Sequence, residues 1–403
     1  MDELKKLPTP FFFLNQDILL ADIRSLKDAI QIHWENTMIA YSVKTNSFPP
    51  LLQILRQQEV GMEVVSIDEY NLVRKCGFSS DEIVCNGPIK SECWIDDILL
   101  KQIVLNIDSK RELDFVSQFA LANQTKTINV GIRVNFDIES VFSGESNGDE
   151  NGIRFGFSYE TGELKDIIQA LKSIENINIS GLHLHVSTKS RSLEIYKYLT
   201  ELFITIVRDY DLNKINYFDI GGGFFGGIEN PLNWNTYLET ISGVLLENGF
   251  LPQNLRLIIE PGVSLIAGAF SYYSRVSDIK TTKRANFVTL DGSRIHIDPF
   301  FHKSKYFYTL VSSVKEQRDG LSQILAGFTC LEYDRFFEIK TDSFLNIGDL
   351  FIFDKVGAYT MTLSPLFISY FPPVYTLNQN GQVQILREKW GVEEFIQKTK
   401  LDI

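Results

Sequence analysis

From about residue 36 to residue 267 the chain alternates short apolar runs with amphipathic segments. The apolar runs Thr37–Ala40, Gly61–Val65, Glu82–Cys85, Gln102–Asn106, Thr127–Val134, Asn178–Leu184, Asn216–Ile220 and Leu255–Glu260 have the length of buried strands. Between them Pro50–Gln57, Ile67–Lys75, Lys110–Ala120, Glu163–Ser173, Ser192–Arg208 and Asn233–Asn248 carry helical periodicity. Eight strands with intervening helices give the cadence of a (β/α)8 barrel, although spacing alone leaves an open doubly wound sheet standing.

Beyond about residue 268 the texture changes. Phe287–Leu290, Tyr306–Val311, Gln323–Ala326 and Leu350–Phe353 are short runs separated by turn residues (Asp291-Gly292, Arg318-Asp319-Gly320, Gly348-Asp349), which suggests an all-β domain. The opening Pro8-Thr9-Pro10-Phe11-Phe12-Phe13-Leu14 also has strand character and is expected to join that later sheet. The expected organisation is an α/β chain with a (β/α)8 barrel over 27–267, and a second, all-β domain formed by 1–26 with 268–403. Its tail, Glu388–Lys400, has the pattern of a terminal amphipathic helix. The polar loop Asp137–Gly152 is expected to be a mobile surface excursion.

Several residues at the ends of these strands carry chemistry. Tyr41-Ser42-Val43-Lys44-Thr45-Asn46 places a lysine just past a buried strand, where burial would disfavour the ammonium and free an amine to attack a carbonyl. Asp219-Ile220-Gly221-Gly222-Gly223-Phe224-Phe225-Gly226-Gly227 follows a late strand and can turn backbone N–H groups toward a phosphate. It lacks the lysine of a P-loop and the spacing of a dinucleotide fold, so the phosphate of a compact cofactor fits better than a nucleotide. Glu260-Pro261-Gly262 ends a barrel strand, where a carboxylate could keep a pyridine nitrogen protonated or form a salt bridge. His183 and His185 share one strand face; a ring-stacking histidine is the economical reading, and His183 could equally be a satisfied core residue. No carboxylate or cysteine lies at metal-ligand spacing from them, and no metal is expected.

Composition narrows the classes. The 403 residues suit two domains, and 44% hydrophobic content is ample for packed cores. A net charge of −12 argues against nucleic acid. No apolar stretch is long enough to span a bilayer, and Met1–Lys6 lacks a signal-peptide pattern. Four irregularly spaced cysteines form neither a disulfide framework nor a zinc site, which points to a reducing, cytoplasmic setting.

In order along the chain, these motifs resemble the pyridoxal-phosphate-dependent decarboxylases of the alanine-racemase-like fold, the group of ornithine and diaminopimelate decarboxylases. The resemblance implies that Lys44 carries the pyridoxal 5'-phosphate and that His185 stacks on its ring. Thr188, Gly221, Gly222 and Gly223 would serve its phosphate, with Glu260 and Gly262 completing the site and Glu260 on its ring nitrogen. Arg133 matches an arginine near the cofactor, Glu63 stands where an aspartate is usual, and Tyr359 matches a cofactor-contacting tyrosine. Cys330 corresponds to the cysteine that protonates the substrate carbon, contributed by the other subunit of a homodimer. The departures concern the substrate: Leu331 replaces an acid, Val263 replaces an arginine, and Asp298-Pro299 replaces an Arg-Pro pair. Asp334, in the Cys-x-x-x-Asp spacing, is either a substrate residue or a structural tie for the cysteine loop. That spacing resembles relatives of siderophore, aminoglycoside and peptide-antibiotic pathways, which act on an amino acid carried on a larger conjugate. A racemase, or an inactive binding partner on the same fold, is the alternative.

Overall fold

Eight parallel strands close a barrel because each apolar run buries both faces, one toward the barrel interior and one toward the surrounding helices. The structure is a computed structural model describing residues 2–147, 151–226, 232–312, 322–339 and 344–400; the turn Arg318-Asp319-Gly320 and Gly227 lie outside the described residues. The chain forms two compact units, one of Asp22–Leu265 and one of Met1–Ala21 with Ile266–Ile403.

Strand β1 (Phe11–Leu14) belongs to the second unit, and the barrel begins with β2 (Thr37–Ser42), β3 (Gly61–Val64), β4 (Ile83–Cys85) and β5 (Val104–Ile107). It continues with β6 (Ile128–Asn135), the two-residue β7 (Phe157–Ser158) beside it, β8 (Ile177–His183), β9 (Tyr217–Asp219) and β10 (Arg256–Ile259). Parallel pairing of β10 with β2, and of β5 with β6, closes the ring. The expected barrel is therefore present. Helices begin where a side chain can accept an orphan backbone N–H: Ser66 caps Ile67–Lys75, Ser109 caps Lys110–Ala122, and Asn233 caps Trp234–Glu247. Two further helices, Gln16–His33 and Glu92–Leu100, are absent from the sequence-based assignment.

Among the described residues the second unit forms a nine-stranded, mostly antiparallel sheet. It comprises β1, β11 (Phe270–Thr281), β12 (Asn286–Leu290), β13 (Phe307–Val311), β14 (Gln323–Ala326), β15 (Arg335–Ile339), β16 (Leu350–Asp354), β17 (Val374–Leu377) and β18 (Val383–Arg387). β1 lies between β11 and β17, as its all-buried Phe-Phe-Phe-Leu demands, and so joins the later sheet. The tail differs from expectation: only Val392–Ile396 is helical, with none of its residues buried.

The loop after β6 also differs. Its described part is tied down rather than free: Asn147 N–H donates to the Ser187 carbonyl at 3.1 Å, and Lys189 N–H donates to that of Glu145 at 2.9 Å. Ser146 bridges Thr188 in antiparallel fashion.

Candidate active site

The C-terminal ends of the barrel strands gather the reactive residues, as parallel barrels generally do. β2 runs into a single 3-10 turn, Val43–Thr45, which carries Lys44. Its ammonium lies 2.6 Å from Glu63 Oε2, at the end of neighbouring β3, and 3.1 Å from Ser42 Oγ. Lys44 is thus not the buried amine the sequence suggested; its side chain is 41% exposed and ion-paired, which favours the charged form. Glu63 is fully buried. Burial alone would raise its carboxyl, but the Lys44 charge and hydrogen bonds from Lys44, Ser42 and Asn86 hold it below the ordinary range.

A second carboxyl group stands across the barrel mouth on Glu260. Asn86, just after β4, donates to Glu260 Oε1 at 2.5 Å and reaches Glu63 Oε1 at 3.4 Å. Asn106 on β5 donates to Asn86 Oδ1 and to Asp219 Oδ2, each at 2.9 Å, and accepts from the Tyr217 hydroxyl at 2.8 Å. Asp219 and Glu260 are hydrogen-bonded to each other. Burial pushes Asp219 up to about 7; burial and the neighbouring Asp219 and Glu63 charges push Glu260 well above the carboxylate range. Two carboxyl groups this close and this buried resist carrying two negative charges at once.

His183 lies at the end of β8, with Nε2 3.7 Å from Glu260 Oε2. Neither of its ring nitrogens has a hydrogen-bond partner, so it is not a satisfied core histidine. Its ring lies parallel to that of His185, with centroids 6.2 Å apart. Burial, then the charges of Arg133 and Lys44, push His185 down to about 3, so the imidazole is neutral. Arg133, beside His183 in the β6–β8 register, pairs with Asp108 at 3.3 Å.

The glycine run is held by contacts that exclude side chains. A Cβ on Gly221 (φ +70°) would come within 2.5 Å of His185, and one on Gly222 within 2.3 Å of the Glu260 carbonyl oxygen. The Gly222 carbonyl accepts from the buried Tyr196 hydroxyl at 3.0 Å, and its N–H donates to His185 Nδ1 at 3.2 Å. Gly262 lies against Thr45, where a Cβ would meet Oγ1 at 2.3 Å. Thr188 is buried and bridges Ser146 of the loop after β6. Lys44, Glu63, Arg133, His185, Thr188, Gly221, Gly222, Gly223, Glu260 and Gly262 thus share the barrel unit. Asn86, Asn106 and Asp219 were missed as site residues, although a polar residue closing an apolar barrel strand was the available signal.

The remaining expected residues belong to the second unit. Cys330 and Tyr359 are exposed there. Asp298 accepts from Arg294, Tyr306 and the N–H groups of His302 and Lys303. Asp334 accepts from Ser293, Thr329 and the Arg294 N–H. Leu331 donates its N–H to Thr329 Oγ1 at 3.4 Å.

A family profile described as "Pyridoxal-dependent decarboxylase, pyridoxal binding domain" matches residues 20–267. The chain belongs to the pyridoxal-dependent decarboxylases. It is 26% identical to an L-glutamyl-[BtrI acyl-carrier protein] decarboxylase of Niallia circulans, over 97% of this chain and 94% of that one. It is 24% identical to diaminopimelate decarboxylase of Aquifex aeolicus, over 98% of this chain and 92% of that one. The crystal structure of Helicobacter pylori diaminopimelate decarboxylase superposes with a TM-score of 0.83 at 23% identity, covering 98% of each chain.

The decarboxylase cofactor, pyridoxal phosphate, fits these residues. A half-exposed lysine suits its aldehyde, a glycine turn that admits no Cβ suits its phosphate, and the carboxyl pair with the orphaned His183 suits its ring nitrogen. The fold also supplies what spacing did not reveal: donor atoms of His183, Asp219 and Glu260 lie within 4.8 Å of one another, a set that could hold a cation. Among the described residues no helix is long and apolar enough to cross a membrane.

Proposed function

We propose that this decarboxylase removes the α-carboxylate of an amino-acid unit carried on a larger conjugate, working as a homodimer. The observation that carries this reading is the saturation of the acids around the cysteine loop. Asp298 and Asp334 each already accept several hydrogen bonds, and position 331 is leucine. A free diamino acid would present a distal ammonium, and these carboxylates are committed elsewhere. The likeness to a decarboxylase whose substrate is a glutamyl unit on a carrier protein supports the same reading.

When bound, the cofactor supplies an electron sink for the pair left by the departing carboxylate. The chain's own residues do the rest. Glu63 Oε2, 2.6 Å from Lys44 Nζ, holds and orients that nitrogen at the end of its strand, where it must lose its proton before it can act as a nucleophile. Glu260, fixed by Asn86 and backed by Asp219, keeps a proton at the ring-nitrogen end of the site. His185, neutral, offers a flat face without adding charge. Cys330 Sγ from a second copy of the chain gives its proton to the substrate carbon as a general acid.

The test has two parts. Borohydride reduction of protein incubated with pyridoxal phosphate is expected to leave a pyridoxyl adduct on Lys44, read by peptide mass spectrometry. CO2 release is then compared between free glutamate, ornithine or diaminopimelate and an aminoacyl thioester of pantetheine. Faster release from a free diamino acid than from the thioester would overturn the conjugate reading.

A further inference from the structure

A bound phosphate ester brings a charge of roughly −1.5 to −2 that needs a counter-charge. Two cations of the barrel unit's strand-end segments are already held by carboxylates, and a third is turned to the loop after β6. Lys44 pairs with Glu63 and Arg133 with Asp108, Lys189 Nζ donates to the Gly144 carbonyl at 2.7 Å, and His183 and His185 are neutral. Arg154 lies over the Phe155 ring, on the loop that follows β6. Position 263, directly after Glu260-Pro261-Gly262, is valine.

Arg191 is the cation tied to the glycine turn itself. Its Nη1 donates to the Phe224 carbonyl at 3.3 Å, one residue past Gly223, and its guanidinium lies 5.5 Å from the Phe225 ring centroid. The Arg191 carbonyl accepts from the Tyr237 hydroxyl at 2.6 Å, and that hydroxyl in turn accepts from Phe225 N–H at 3.2 Å. Tyr237 is completely buried, so it staples the Thr188–Arg191 segment to the glycine turn. The clamp holds Arg191 at φ +54°, a backbone conformation a non-glycine residue adopts only when its surroundings enforce it. Among the described residues no salt bridge neutralises its guanidinium, which retains four further N–H donors.

We propose that Arg191 supplies the positive charge that meets the cofactor phosphate, with Thr188 and the backbone of Gly221–Gly223 as its neutral partners. This rests on the pyridoxal-phosphate assignment and adds to it a residue that the family motifs do not mark. Arginine suits the task because its planar fork can give two parallel hydrogen bonds to one phosphate.

The experiment compares two aldehydes that differ only in the phosphate. Cofactor-free wild-type protein and its Arg191→Ala, Arg191→Gln and Arg191→Lys variants are titrated with pyridoxal phosphate and with pyridoxal, and binding is read by fluorescence quenching and by borohydride adduct on Lys44. Loss of a charge-assisted contact is expected to weaken pyridoxal phosphate roughly 10- to 100-fold in the Ala and Gln variants. Pyridoxal affinity is expected to stay within about 2-fold of wild type, since the phosphate contact is the one removed. The Lys variant should fall between. The Gln variant keeps a donor for the Phe224 carbonyl, so it reports charge even if the Ala variant folds poorly. Equal weakening of both aldehydes, or weakening of neither, overturns the assignment to phosphate. No Lys44 adduct in wild-type protein with either aldehyde would overturn the cofactor assignment and this one with it.

Discussion

Glu63 holds Lys44 by a 2.6 Å ion pair between neighbouring barrel strands, with Ser42 Oγ donating to the same carboxylate oxygen at 2.6 Å. Glu63→Gln removes the negative charge that holds Lys44 as an ammonium while keeping the side chain's length. More free amine is then present near neutral pH, and the rate of adduct formation at Lys44 is expected to rise about 10-fold. Glu63→Asp, which keeps the charge, should change that rate less. Stopped-flow absorbance with pyridoxal phosphate checks the order wild type, Asp, Gln.

Asn86 is the hub between the two carboxyl groups, donating to both and accepting from Asn106. Asn86→Leu leaves Glu260 and Asn106 short of partners in a fully buried setting. The expected cost is about 1–3 kcal/mol of folding stability, measured by urea denaturation of the cofactor-free protein. A loss of less than a few tenths would show that water replaces the amide.

Lys90 and Glu112 form a 3.0 Å ion pair with both side chains essentially inaccessible. Lys90→Met strands a buried carboxylate, and its expected cost is about 3–5 kcal/mol. Glu112→Ala should cost more, because Glu112 also accepts the backbone N–H groups of Lys90 and Asp108. The order of the two denaturation midpoints decides whether this charge pair or its backbone contacts dominate.

The neutral His185 makes stability depend on pH in a definite direction. Its folded value of about 3 lies below the ordinary 6.5, so between them the unfolded chain binds a proton that the folded chain does not. The contribution of this group is therefore complete above pH 6.5 and is lost progressively as pH falls toward 3. The slope approaches ~1.4 kcal/mol per pH unit within that window. Denaturation of wild-type and His185→Gln protein from pH 7 to pH 4 should show their stability difference shifting toward the variant. A difference independent of pH would mean that folding leaves the imidazole's affinity for a proton unchanged.

All eight barrel strands were legible in the sequence because parallel strands buried on two faces leave apolar runs such as Leu257–Ile259. Lys44, Glu260 and the glycine turn were legible because each closes such a run. The Asn86–Asn106–Asp219 network was not, since its members come from three strands and only barrel closure makes them neighbours. Helix Glu92–Leu100 escaped because four of its nine residues, Trp94, Ile95, Ile98 and Leu99, are buried apolar groups that blur the periodicity. β11 escaped because its twelve residues mix tyrosine, serine, arginine and lysine. The tail was overextended: the apolar positions of Glu388–Lys400 include Trp390, whose N–H instead bonds the Phe371 carbonyl and whose ring packs edge-on against Phe371.

β2, which leads into Lys44, pairs with β10, which leads into Glu260, and these are the first and last barrel strands to leave the ribosome. A nascent chain halted before β10 therefore carries the reactive lysine without Glu260 or the closing hydrogen-bonded seam. Lys44 and Glu260 are thus brought together only when the last barrel strand docks against the first.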